Sequence, residues 1–293
     1  PGTKLVTFNG SVAQALNGTS VPSFYDLAIN NSGPADVTLG TNINVGRNLT
    51  TTTNLAHNSK LVTLNGSTAQ IVSGLTTPAF YDLTITNSSG GTTFSNDITI
   101  AGDFTYNSVT ALTPGTNLVT FNGSVAQAIN GTNIPNFYDL TFNNGIAAAV
   151  TLGTSIKISH DLVTTTTLTH GGQTVTLEGT TPQIISGVTP PTFHTLVLDG
   201  SGGTTLNTNT SIASALTLTD GLITPSGGTL KILNGGSASA GSAISFVNGA
   251  LTKVGNGAFT FPVGSTRYGA VSVSGIGGGS GTTELTGQYF NAA

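Results

Sequence analysis

Short runs of alternating apolar and polar residues, separated by turn residues, fill most of this chain. In "LVTFNG", Val6 and Phe8 share one face. In "FYDLAIN", Tyr25, Leu27 and Ile29 share a face, while Asp26, Ala28 and Asn30 take the other. Tyr138, Leu140 and Phe142 repeat that arrangement, and "VTLGTNINV" places Val37, Leu39, Ile43 and Val45 alike. A period of two is the signature of β-strand. Asn-Gly and Gly-Gly pairs interrupt the runs, because they tolerate the positive φ of tight turns. No long stretch keeps a helical apolar period, and the abundance of Gly, Thr and Asn disfavours helix. The pattern therefore predicts an all-β chain. It predicts Tyr25, Leu27, Ile29, Leu140 and Phe142 inside, with Asp26 and Asp139 outside.

The runs recur. "LVTFNG" at Leu5 returns as "LVTLNG", "LVTFNG", "TVTLEG" and "LKILNG", which sets Phe8, Leu64, Phe121, Leu177 and Leu233 at a near-constant spacing. "FYDL" at Phe24, Phe80 and Phe137 becomes "FHTL" at Phe193, and Gln14, Gln70, Gln127 and Gln183 keep the same beat. Alternate repeats resemble each other most: "FNGSVAQALNG" at Phe8 returns as "FNGSVAQAING" at Phe121. A fixed period of roughly 56 residues marks a stacked repeat array. The repeats run near residues 5–60, 61–117, 118–173 and 174–229, with a partial fifth from 230.

Each repeat divides into three nearly equal parts, the first set spanning 5–60. That suits a parallel β-solenoid (β-helix) with about three coils per repeat, each coil resting on the one below at about 4.8 Å. Phe8, Leu64, Phe121 and Leu177 are then expected on one line along the axis. Tyr25, Tyr81, Tyr138 and His194 are expected as a second structural ladder. An array of antiparallel sandwich modules is the rival, since Asn-Gly pairs also build hairpins. After Gly235 the repeat markers stop. Residues 1–235 are read as the solenoid array, and 236–293 as a glycine-rich, sandwich-like end domain or cap, with Pro262 at a strand edge or end.

Composition narrows the function. Of 293 residues only 7 are Lys or Arg and 11 Asp or Glu, with no Cys, Met or Trp. So few cations cannot form a nucleic-acid footprint. No apolar run approaches the ~20 residues of a membrane helix. Without Cys there is neither a disulfide framework nor a thiolate metal site. The opening "PGTKLV" matches "PGTNLV" at Pro114. The chain is thus expected to start inside a repeat of a longer protein.

"LNGSTAQIVSG", "PAFYDLTITNSSGG", "VTLGTNINV" and "GAFTFPVGS" followed by "YGAVSV" resemble the repeat regions of very large secreted surface proteins of Bacteroidota, of adhesin or filament type and exported by type IX secretion. The resemblance covers essentially the whole chain. It implies an extracellular, cell-surface location and a structural role, and it supplies no catalytic residue.

The candidate chemistry is thin. Asp26, Asp82 and Asp139 recur at one position, but a glycosidase needs two carboxylates across one bond, and copies three coils apart would be about 14 Å away. His57, His160, His170 and His194 lack metal-ligand spacing. No cofactor is expected; the one cation with a rationale is calcium, at Asp97 and Asp103 beside "ITIAG". "SGIGGGSG" at Ser274 lacks the Lys of a phosphate loop. The Thr runs at Leu49 and Leu162 offer a hydroxyl face, and Phe24, Phe80, Phe137 and Phe193 could stack on sugars or pack a corner. The leading expectation is a non-enzymatic segment of a surface fibre or adhesin, partnered by further repeats or copies of itself and assembling head to tail into filaments. The alternatives are a module that binds surface glycans through Thr and Phe faces, and a polysaccharide-degrading β-helix enzyme.

Overall fold

The computed structural model describes residues 2–32, 35–145, 148–276 and 279–290, and among them there is no helix. The chain divides into two compact units, Pro1–Thr154 and Ser155–Ala293. Both are parallel β-solenoids.

In the first unit most strands are short. Val37–Leu39, Ile43–Val45 and Leu49–Thr51 each bury their first and last side chains and turn the middle one outward. Three such strands, joined at corners, make one coil. Leu5 rests on Asp26 and Leu27 on Leu49, one coil further along the chain each time. One sheet stacks Leu5–Phe8, Asp26–Ile29, Leu49–Thr51 and Gln70–Gly74; another stacks Ser23–Phe24, Ile43–Val45, Leu61–Leu64, Asp82–Ile85 and Phe104–Tyr106. Every ladder between these strands is parallel, which excludes the hairpin modules of the rival reading.

A coil takes up more than the expected third of a repeat, because corner residues that belong to no strand add to its length. Among the described residues, each of the first three repeats holds eight strands, slightly under three coils. Eight is not a multiple of three, so like does not stack on like. Phe8 lies in the first sheet just described and Leu64 in the second, while Phe121 lies in a further sheet with Ile98–Ile100 and Asp139–Phe142. The expected single line of these residues is thus incorrect. What persists is the local neighbour: Phe8 pairs with Ile29, Leu64 with Ile85, Phe121 with Phe142 and, in the second unit, Leu177 with Leu198.

The core of the first unit is a continuous column of aliphatic and aromatic side chains. Leu27, Ile29, Leu140 and Phe142 are at most 1% exposed, as the alternation requires. Phe104, Phe121, Phe137 and Phe142 form a cluster, with Phe104–Phe137 and Phe121–Phe142 centroids both 5.8 Å apart. Fully burying one such ring contributes roughly 1.5–3 kcal/mol.

In the second unit the strands lengthen. Thr192–Asp199 runs through the position where other repeats bend, with a register shift between Phe193 and Thr195. His194 and Thr195 replace Tyr-Asp there, so the carboxylate that braces the bend elsewhere is missing. Parallel pairing continues past Gly235: Ile223 pairs with Val247 and Val247 with Val263, and Leu230 with Leu251. The end element therefore starts later than the expected residue 236. It consists of Glu284–Gly287, antiparallel on Leu251–Val254, and of Phe259–Phe261, antiparallel with Val271–Val273. Pro262 falls between Phe259–Phe261 and Val263–Gly264, at a strand end.

Candidate functional surface: the solenoid corners

The corner after each "F" decides which ring is inside. Tyr25 is a bend residue, and a bend resets the alternation. Phe24 before it and Leu27 beyond it are both buried. Phe80, Phe137 and Phe193 are likewise at most 1% exposed, whereas Tyr25, Tyr81, Tyr138 and His194 are half-buried. The expectation that Tyr25 is a core residue is therefore wrong, because parity was carried across a corner. The Phe rings cannot stack on a sugar. The half-exposed rings instead meet neighbours from adjacent coils: Arg47 lies 4.9 Å from the Tyr25 ring, and His57 packs on Tyr81 and His170 on His194 at 5.7 and 5.4 Å.

Asp26 also departs from expectation: it is buried, at 7% exposure. Its carboxylate accepts hydrogen bonds from Arg47 Nε (2.8 Å) and Asn48 N (3.0 Å), and pairs with Arg47 Nη2. The Arg47 bond holds its pKa below the usual carboxylate value, against the opposing effect of burial. In the next repeat Asp82 Oδ1 accepts from Asp103 N at 2.7 Å. Asp139 is half-buried.

This is a general device that the sequence reading missed. An Asn, Asp or Ser just before a strand accepts a backbone N–H from the following coil. Asn42, Asp97, Ser155 and Asn209 take the amides of Leu61, Leu118, Thr174 and Thr229 at 2.8–3.1 Å. Asn48, Asp103 and Asp161 take those of Ile71, Ala128 and Ile184 at 2.8–3.1 Å. Asp97 and Asp103, the residues with a calcium rationale, each commit one oxygen to this bracing. The recurrence of Asx before an apolar residue, as in "TNI", "RNL", "NDI", "GDF" and "HDL", was the available signal.

The recurrent Gln is the second device. Gln70, Gln127 and Gln183 are 0–2% exposed. Gln70 Oε1 accepts from Gly66 N (2.9 Å), and its Nε2 donates to the carbonyls of Val45 (2.8 Å) and Arg47 (3.0 Å) on the coil below. Gln183 makes the same three bonds to Gly179, Ile158 and His160, and Gln127 to Gly123, Ile100 and Gly102. Each satisfies corner groups that burial would otherwise leave unpaired, at about 1–3 kcal/mol apiece.

The Thr runs are not flat faces. Thr51 and Thr164 point inward, and Thr164 Oγ1 donates to Thr189 O at 2.7 Å. Outward hydroxyl columns exist elsewhere in the first unit, where Thr63 pairs with Thr84 and Thr84 with Thr105, and Thr99 with Thr120 and Thr120 with Thr141. The second unit carries a groove of about 570 Å³ beside Gly202, Gly203, Thr204, Asp220, Ile244 and Phe246. Asp220 supplies an acid to its lining, and Asp220 Oδ1 accepts from Gly221 N at 2.8 Å.

Near the end element, Lys253 is buried. Its Nζ donates to Leu233 O (2.7 Å) and Val254 O (2.8 Å) beside the Phe259 ring, and desolvation lowers its pKa. What these corners do chemically is hold coil to coil. Comparison with protein-family models, curated proteins and solved structures finds no match to this chain.

Proposed function

We propose that this chain is a structural segment of a bacterial surface fibre or adhesin, working outside the cell and without enzymatic activity. The observation that carries the reading is the use of its recurrent polar side chains. Gln70, Gln127 and Gln183, and the acids at 26, 82, 97, 103 and 161, are all bonded to backbone groups of adjacent coils. Residues kept for reaction are normally aimed into a pocket with a partner acid or base. Here the polar chemistry supports rigidity, which suits a stalk that spaces or displays something. The low charge leaves little repulsion between copies, so we extend the proposal to head-to-tail assembly. Negative-stain electron microscopy of the purified chain, with a turnover screen on neutral and acidic polysaccharides, tests both parts. Stiff rods that lengthen with concentration and no product release are expected. Catalysed depolymerisation would overturn the structural reading, and unchanging single rods would overturn assembly.

The outward Thr columns favour one second reading, a surface that binds neutral glycans. Retention on insoluble polysaccharide, lost on Thr84→Val and Thr105→Val, would support it.

A further inference from the structure

Asn-Gly recurs throughout this chain, and it carries a chemical liability. Glycine has no Cβ to shield its amide nitrogen, which can attack the preceding Asn side chain. There are nine such pairs, at Asn9, Asn17, Asn65, Asn122, Asn130, Asn144, Asn234, Asn248 and Asn256. The structure separates them. Gly10, Gly66 and Gly123 donate their N–H to the Oε1 of Gln14, Gln70 and Gln127 at 3.0, 2.9 and 2.9 Å. Gly145 N donates to Gly123 O (2.8 Å), Gly249 N donates to Val247 O (3.0 Å), and Gly131 ends the paired strand Gln127–Gly131. For Gly18, Gly235 and Gly257, among the described residues, the amide makes no such bond, and Asn17, Asn234, Asn256 and these glycines are all exposed.

We propose that the recurrent Gln guards the Asn-Gly turns against self-modification, and that Asn17, Asn234 and Asn256 are the sites where this chain deamidates without an enzyme. The glycine nitrogen bonds to the Asn Cγ, its proton passes to the leaving amide, and ammonia departs. Water then opens the resulting five-membered imide at either carbonyl, giving aspartate or isoaspartate. Water is the sole co-reactant. To attack, the nitrogen must free its N–H and turn its lone pair toward Cγ. At Gly66 and Gly123 that N–H is bonded to a buried Gln, itself anchored to the coil below. The repeats thus combine the glycine that close coil packing requires at this corner with a guard for its weak bond. Near the end element the guard is absent: Asn256 Nδ2 holds Gly279 O at 2.9 Å, and conversion would replace that donor with a carboxylate.

The test is peptide mapping of the intact chain after incubation in mildly alkaline heavy-oxygen water, with fragmentation that distinguishes isoaspartate. Asn17, Asn234 and Asn256 should convert at least about tenfold faster than Asn65 and Asn122, the factor implied by one buried hydrogen bond that must break. In urea the difference should vanish. Gln70→Ala should bring Asn65 to the exposed rate, while Gln183→Ala, which removes the same three bonds at the Glu178-Gly179 corner, should leave Asn65 slow. Equal rates at Asn65 and Asn256 in the folded chain would overturn the proposal. So would a slow Asn65 in Gln70→Ala, or one as fast in Gln183→Ala as in Gln70→Ala.

Discussion

A single buried amide illustrates how stability is distributed at the residue scale. Gln127 touches one N–H and two carbonyls at a corner where water cannot replace it. Gln127→Ala should cost about 2–4 kcal/mol, the cost of leaving such groups unpaired. Faster hydrogen exchange at Gly123 and its neighbouring coils, before any global change, is the expected readout. Asp26 gives a pH-dependent case. Its folded pKa lies below the unfolded value. Its stabilisation is therefore complete above about pH 4 and is lost as pH falls through the lower, folded value. The stability advantage of the native chain over Asp26→Asn should be present at neutral pH and fade in acid. A constant difference from neutral to acidic pH would show that the Arg47 contact contributes nothing through ionisation.

At the scale of the element, short strands put every side chain close to a corner. Phe80 and Leu83 are both buried although their spacing is odd, because Tyr81 turns the chain between them. Adjacent rings should therefore respond very differently. Phe80→Ala should cost about 3–5 kcal/mol, as for a buried aromatic. Tyr81 is half-buried, with its ring beside His57 and Gly102. Tyr81→Ala should thus cost about 1 kcal/mol or less. Chemical denaturation of the two variants checks the parity, and equal losses would contradict it. The fourth repeat supports the same logic. Without the Tyr-Asp bend, its strand runs on through Thr192–Asp199.

At the largest scale, the mismatch in the first unit between eight strands per repeat and three per coil matters most. Each repeat there moves the pattern to another sheet, so an outward feature written once per repeat does not recur on one face. Loop-tip residues show it: Val21, Leu75 and Ile134 are 49%, 86% and 52% exposed and precede strands of different sheets. Deleting residues 61–117 should leave a folded, shorter solenoid. Leu118–Phe121 would replace Leu61–Leu64 upon Ile43–Val45, with Phe121 taking the place of Leu64 over Val45. The shortening would be about 13 Å at the usual strand spacing. Circular dichroism and small-angle scattering check this, and a loss of strand signal beyond the deleted residues would refute it.

The sequence alone determined the all-β class and the repeat period, and it favoured a parallel solenoid over sandwich modules, a choice that the parallel ladders then closed. It did so because alternation, turn chemistry and repetition are local properties of the chain. It also determined that Leu27, Ile29, Leu140 and Phe142 face inward, since each lies within one uninterrupted strand. The tertiary structure decided whatever depends on how corners close. A corner residue shifts parity by one, which moved Phe24 inside and Tyr25 outward, and it lengthened the coil beyond a third of a repeat. The partners of Asp26, Gln70 and Asn42 lie one coil above or below. Their roles appear only once the coil length is fixed, because that length decides which backbone groups come within reach.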